Sequence, residues 1–101
     1  MNFRMDSEIE DLRRKLREVM DLLSVSGERF WRDWLDSSLA HLERDPREGV
    51  EHLLKAYGGM GSFNDLVLEV ADHQADARFD RLRTELYQLA RDLHNKAKGG
   101  H

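Results

Sequence analysis

Two stretches near opposite ends of the chain carry the same apolar register. Ile9, Leu12, Leu16, Val19 and Leu23 stand at offsets 0, 3, 7, 10 and 14, and Phe79, Leu82, Leu86, Leu89 and Leu93 repeat those offsets. Steps of three and four keep side chains on one face of an α-helix and scatter them across both faces of a strand. Two long helices with matching stripes bury them most simply against each other, closing a bundle. The predicted fold class is therefore all-α: a four-helix-bundle-like single domain with a short extra helical segment after a glycine corner. Its helices are expected at about 7–23, 27–44, 46–57, 63–70 and 74–97.

Local punctuation sets these bounds. Ser7 and Glu10 have capping-box spacing, a hydroxyl followed three residues later by a carboxylate. Ser24-Val25-Ser26-Gly27 breaks the first stripe, and Ser24 or Ser26 is placed to cap the second helix. That helix carries Phe30, Trp31 and Trp34 ahead of Leu35, Leu39 and Leu42. Three rings within five residues cover more than one face, so at least one is expected at a second contact. Asp45-Pro46-Arg47-Glu48 is the clearest start signal: an aspartate cap, then proline at a position whose N–H has no helical partner. Gly58 is expected to end the third helix as a left-handed cap.

Size and composition narrow the function classes. A chain of 101 residues fits one domain. Without cysteine there are no disulfides, no thiolate nucleophile and no cysteine zinc site. No apolar run reaches the roughly 18 residues of a membrane span, and Met1–Asp6 lack the apolar core of a signal peptide, so a cytoplasmic protein is expected. The formal charge of −4 is uneven: residues 26–73 hold ten acidic and five basic side chains. Such a middle repels nucleic acid and suits a basic partner.

The one stretch that amphipathic scaffolding does not explain is Tyr57-Gly58-Gly59-Met60-Gly61-Ser62-Phe63-Asn64-Asp65-Leu66. Its glycines invite a phosphate-loop reading, but the lysine is missing, a helix rather than a strand precedes it, and Asp65 puts negative charge where an anion would sit. A helix–helix corner, with Ser62 capping the next segment, fits better; a recognition loop is the other reading. Leu66, Val67, Leu68 and Val70 read as a buried helix or an extended piece, and the helix is preferred because a lone strand has nothing to pair with.

Catalytic and metal signatures are sparse. None of the five histidines has an acid three residues before it, and no His-Glu-x-x-His helix occurs. Glu48/His52 and Glu69/His73 stand one turn apart, a spacing that suits surface ion pairs better than metal ligation. No cofactor, metal ligand or catalytic residue is assigned.

The sequence Gly-Glu-x-Phe-Trp-x-x-Trp-Leu (Gly27, Glu28, Phe30, Trp31, Trp34, Leu35), the motif from Tyr57 to Leu66, and Leu82, Leu86, Tyr87, Leu89 and Ala90 together resemble a family of small uncharacterised bacterial helical proteins. The resemblance spans roughly residues 8 to 95. It implies no reaction; by analogy with small acidic bacterial proteins of this kind it points to immunity against a toxin. The leading expectation is a non-enzymatic protein-binding module, such as an immunity protein or toxin inhibitor. It would act by occlusion through Trp31, Asp33, Asp36, Ser62, Asn64, Asp65 and Glu69, with no nucleic-acid or membrane partner. The alternatives are a homodimeric structural protein, or a small-ligand or enzymatic module at the Gly58–Asp65 corner. A cavity bordered by Asp65 and His52 or His73 would favour the last.

Overall fold

The computed structural model describes residues 3–58, 62–68 and 73–99. Among these residues the chain is all-α, with no strand. It comprises α1 (Phe3–Val25), α2 (Arg29–Arg44), α3 (Pro46–Leu54), a 3-10 turn (Phe63–Asp65) and α4 (His73–Gly99). Each helix packs against the next, and α1 packs against α4, giving an up-down-up-down bundle. The 45 Å long axis is close to the length of α4 at about 1.5 Å per residue.

The two matching stripes do meet. Leu12, Leu16, Val19 and Leu23 of α1 and Phe79, Leu82, Leu86 and Leu93 of α4 all lie in the buried core. Ion pairs Glu8–Lys96, Lys15–Glu85 and Glu18–Arg78 fix the antiparallel register at the seam. One step of the α4 stripe differs: Ala90 is fully buried while Leu89, like Ile9 at the start of the α1 stripe, is only partly so. At 3.6 residues per turn the face drifts by one position over three turns, and a methyl group at Ala90 lets the helices approach closely.

Several local expectations are corrected. Ser7 is not a cap, because α1 already runs from Phe3 through residues that are neither proline nor glycine. Ser26 Oγ donates back to the Leu22 carbonyl at 2.8 Å instead of capping α2, whose cap residue Glu28 makes no side-chain cap bond. The first helix ends in a Schellman motif: Glu28 N–H donates to Leu23 O at 2.9 Å and Gly27 N–H to Ser24 O at 3.2 Å. Gly27, with φ +76°, is the left-handed residue here, not Gly58. Helix α3 needs no such cap, since Ala56 and Tyr57 N–H bond Leu53 O and Leu54 O in a tightening last turn. The Asp45-Pro46 start is as read from sequence: Asp45 accepts from Arg47 N–H at 3.0 Å with proline at the first helical position.

The helix expected over 63–70 is also corrected. Among its described residues, 63–68, only Phe63–Asp65 turns, as one 3-10 turn capped by Ser62, and Leu66–Leu68 are not helical; residues 69–70 lie outside the described residues. The reason lies in α4. Arg83 donates to Phe63 O at 2.9 Å and to Leu66 O, taking carbonyls that a continuing helix would use four residues on. Phe63 N–H in turn reaches back to Ala56 O at 3.0 Å and closes the corner on itself.

Candidate functional site

The turn at Phe63 and the first turns of α2 meet at one end of the bundle through an aromatic chain, while Gly59, Met60 and Gly61 lie outside the described residues. Phe30 packs edge-on to Trp31 at 4.8 Å between centroids, Trp31 lies 5.4 Å from Phe63, and Phe63 lies 5.4 Å from Tyr57 and 5.7 Å from Phe79. Phe63 is fully buried and anchors the corner, Trp31 is half-buried, and Phe30 is 66% exposed. The second contact expected of the ring cluster is Trp31 against Phe63 of the glycine stretch, and Phe30 is left to solvent. Helical phase explains it: Trp31 and Trp34 are each one turn before buried Leu35 and Ser38, whereas Phe30 falls off that face.

Of the residues singled out in the sequence, Trp31 and the Ser62–Asp65 turn are brought together by the Trp31–Phe63 contact. Ser62 Oγ accepts from Asn64 N–H at 3.3 Å, so its role is local, while Asn64 and Asp65 are exposed. Asp33 and Asp36 are exposed on the outer face of α2, and Arg32 sits 3.3 Å from Asp33, neutralising part of that acidic face. Glu69 lies outside the described residues, so the Glu69/His73 pair is not described.

Arg83 is the residue that sequence reasoning missed. Its side chain is 11% exposed, bonds Phe63 O, Leu66 O and Asp80, and places its guanidinium 4.7 Å from the Phe79 ring centroid. Tyr57 Oη donates to the Arg83 carbonyl at 2.8 Å, and burial holds the Tyr57 phenol well above its ordinary range. The signal available in sequence was an arginine directly following core residue Leu82, where a solvent-facing charge was the natural reading.

A second cluster lies midway along α2 and α3. The His52 ring stacks on Trp34 at 4.3 Å, and Trp34 Nε1 donates to His52 O at 3.1 Å. Ser38 Oγ donates to Trp34 O at 3.1 Å, leaving its lone pairs to accept from His52 Nδ1–H at 2.7 Å. This serine–histidine pair is not arranged for nucleophilic attack: Ser38 is fully buried and its proton is committed to a backbone carbonyl. Burial, and then electrostatic repulsion from His41 and Lys55, lower the His52 pKa below the ordinary histidine value. The depression beside His52 is lined by His41, Glu48, Glu51 and Lys55, and Asp65 does not border it. Among the described residues no three His, Asp or Glu side chains come together to hold a metal ion. Nor is any helix among them long and apolar enough to cross a membrane.

Residues 24–76 match a domain of unknown function, DUF6966, and the chain belongs to that family. The matched span begins at the end of α1 and takes in α2, α3 and the glycine corner, so the aromatic chain lies largely within it. No curated protein and no solved structure matches the chain.

Proposed function

We propose that this member of the DUF6966 family is a non-catalytic protein-binding module that contacts its partner through the end of the bundle where α2 begins. The observation that carries the reading is Phe30: a large ring 66% exposed, held in place edge-on to Trp31 at 4.8 Å. Exposed aromatics that are already ordered lose little entropy on binding and dominate interface energetics. Val67, 68% exposed, adds apolar surface on the segment clamped by Arg83. Asp33 and Asp36 on α2, and Asn64 and Asp65 beside Phe63, are exposed and supply polar groups. The twofold excess of acid over base in residues 26–73 favours a basic partner. The concrete form of the reading is an immunity protein in a bacterial cytoplasm that occludes the basic active site of a toxin.

The test is affinity capture from a bacterial lysate, followed by titration of the purified captured protein. Phe30→Ala should weaken binding by roughly 30-fold, the size of a central anchor of about 2 kcal/mol. Asp33→Lys/Asp36→Lys should slow association and flatten its salt dependence. Equal binding by wild type and Phe30→Ala would refute the site. Val25, 84% exposed, and Phe30 also fit a homodimer, and concentration-dependent sedimentation abolished by Phe30→Ala would favour that instead.

A further inference from the structure

At the opposite end of the bundle, where α1 and α3 begin and α4 finishes, lies a pocket of about 190 Å³. Ile9 of α1, Pro46 and Val50 of α3 and Leu93 of α4 line it, so its walls come from three helices. Val50 and Leu93 belong to the buried core and Ile9 packs against that core, which makes the pocket an open continuation of it. Asp45, Arg47 and His94 complete the lining, yet the surface presented inside is almost wholly apolar, so these three contribute mainly carbon. The two rim charges are of opposite sign and both are engaged. One oxygen of Asp45 accepts from Arg47 N–H at 3.0 Å as the cap of α3, and Arg47 has a further partner of its own.

From this arrangement we propose that the pocket binds a small uncharged molecule whose body is a single ring or a short branched hydrocarbon. The volume exceeds the roughly 150 Å³ of apolar protein cavities that admit benzene. Charge is excluded by the same lining. An ion entering it gives up water to a surface that returns few hydrogen bonds, and burying one ring does not offset that cost. A cation also meets Arg47 and an anion meets Asp45, so the rim favours neither sign. A neutral ring avoids both penalties and extends the contacts already made by Val50 and Leu93. It touches α1, α3 and α4 at once, and a ligand that binds only the assembled bundle stabilises it. The site is distinct from the Phe30 surface, and neither reading depends on the other.

The experiment titrates the full chain, labelled for methyl NMR, with benzyl alcohol, benzoate and benzylamine, three probes that share a ring and differ in charge. Benzyl alcohol should shift the methyls of Ile9, Val50 and Leu93 saturably, with a Kd on the order of 1 mM for burial of one ring. Its ring protons should show intermolecular nuclear Overhauser effects to those methyls, which locates the ligand in the wild-type chain without any variant. Benzoate and benzylamine should each bind about 10-fold more weakly. Asp45→Asn, which keeps a capping side chain, and Arg47→Gln should leave benzyl alcohol binding within about 2-fold of wild type, because neither charge recognises it. Ile9→Phe should fill the pocket and weaken benzyl alcohol binding. The proposal is overturned if benzyl alcohol fails to shift these methyls saturably, or if either ion binds as tightly. It is also overturned if a rim variant abolishes binding, or if a folded Ile9→Phe protein binds as wild type does.

Discussion

Gly49→Ala tests whether α2 and α3 are as closely packed as the bundle requires. A methyl group built on Gly49 would sit 2.5 Å from Leu42 Cα and 2.6 Å from both Leu42 N and Cβ. Ordinary carbon contacts are about 3.5–4.0 Å, so α3 must move away by roughly 1 Å or more, because the obstacle is backbone and cannot rotate aside. One turn along the same interface lie the 2.7 Å Ser38–His52 bond and the 3.1 Å Trp34–His52 bond, and a shift of that size stretches both beyond bonding. Overpacking costs about 1–3 kcal/mol and each lost bond about 1 kcal/mol, against a helix-propensity gain of about 1 kcal/mol for alanine. A net loss of about 3 kcal/mol lowers Tm by roughly 12–24 °C in a domain of this size. Thermal and urea unfolding followed by circular dichroism would measure it, with Trp34 fluorescence reporting the interface. Gly58→Ala is the control: its nearest neighbour is Lys55 O at 3.7 Å, and the change should stay within about 0.5 kcal/mol. A Gly49→Ala protein as stable as wild type, or more so, would refute the close approach.

Three further expectations concern the corner and the histidine cluster. Arg83→Met should strip Phe63 O and Leu66 O of their donor and cost about 2–4 kcal/mol, with amide exchange around Phe63–Leu66 accelerating more than exchange in α1; unchanged exchange there would remove Arg83 as the clamp. Because the folded-state pKa of His52 is lowered, the unfolded chain binds the extra proton first. Its contribution to stability is thus fully present above about pH 6.5 and is lost as pH falls through the folded value. Urea midpoints should drop between pH 7 and pH 5 and drop less in His52→Gln, and identical slopes would deny the effect. Asn64→Ala should shift stability by no more than about 0.5 kcal/mol, since the side chain is exposed, whereas Ser62→Ala loses a cap worth about 1 kcal/mol; unfolding of the Asn64→Ala variant would make the motif scaffold.

What was legible in the sequence was written in local periodicity and local bonding. The stripes of Ile9–Leu23 and Phe79–Leu93 announced two helices and their pairing, because helical spacing fixes which side chains share a face. Asp45-Pro46 announced the start of α3, because a cap and its N–H lie two residues apart. The choice among competing local partners was a different matter. Ser24, Ser26 and Gly58 each had the chemistry of a cap, and chain geometry gave the left-handed turn to Gly27 and sent the Ser26 hydroxyl back to Leu22.

Only the tertiary structure decided the site. The extended path after Asp65 depends on Arg83, 17 residues beyond Leu66, and no spacing rule links them. The burial of Phe63 depends on rings from α2, the turn after α3 and α4, and the exposure of Phe30 on where that aromatic stack ends. The cavity at the far end is walled by α1, α3 and α4 and has no counterpart in any single segment. Helices are specified by bonds four residues apart, but surfaces and cavities are specified by what the packed helices leave uncovered, and that is known only once all of them are in place.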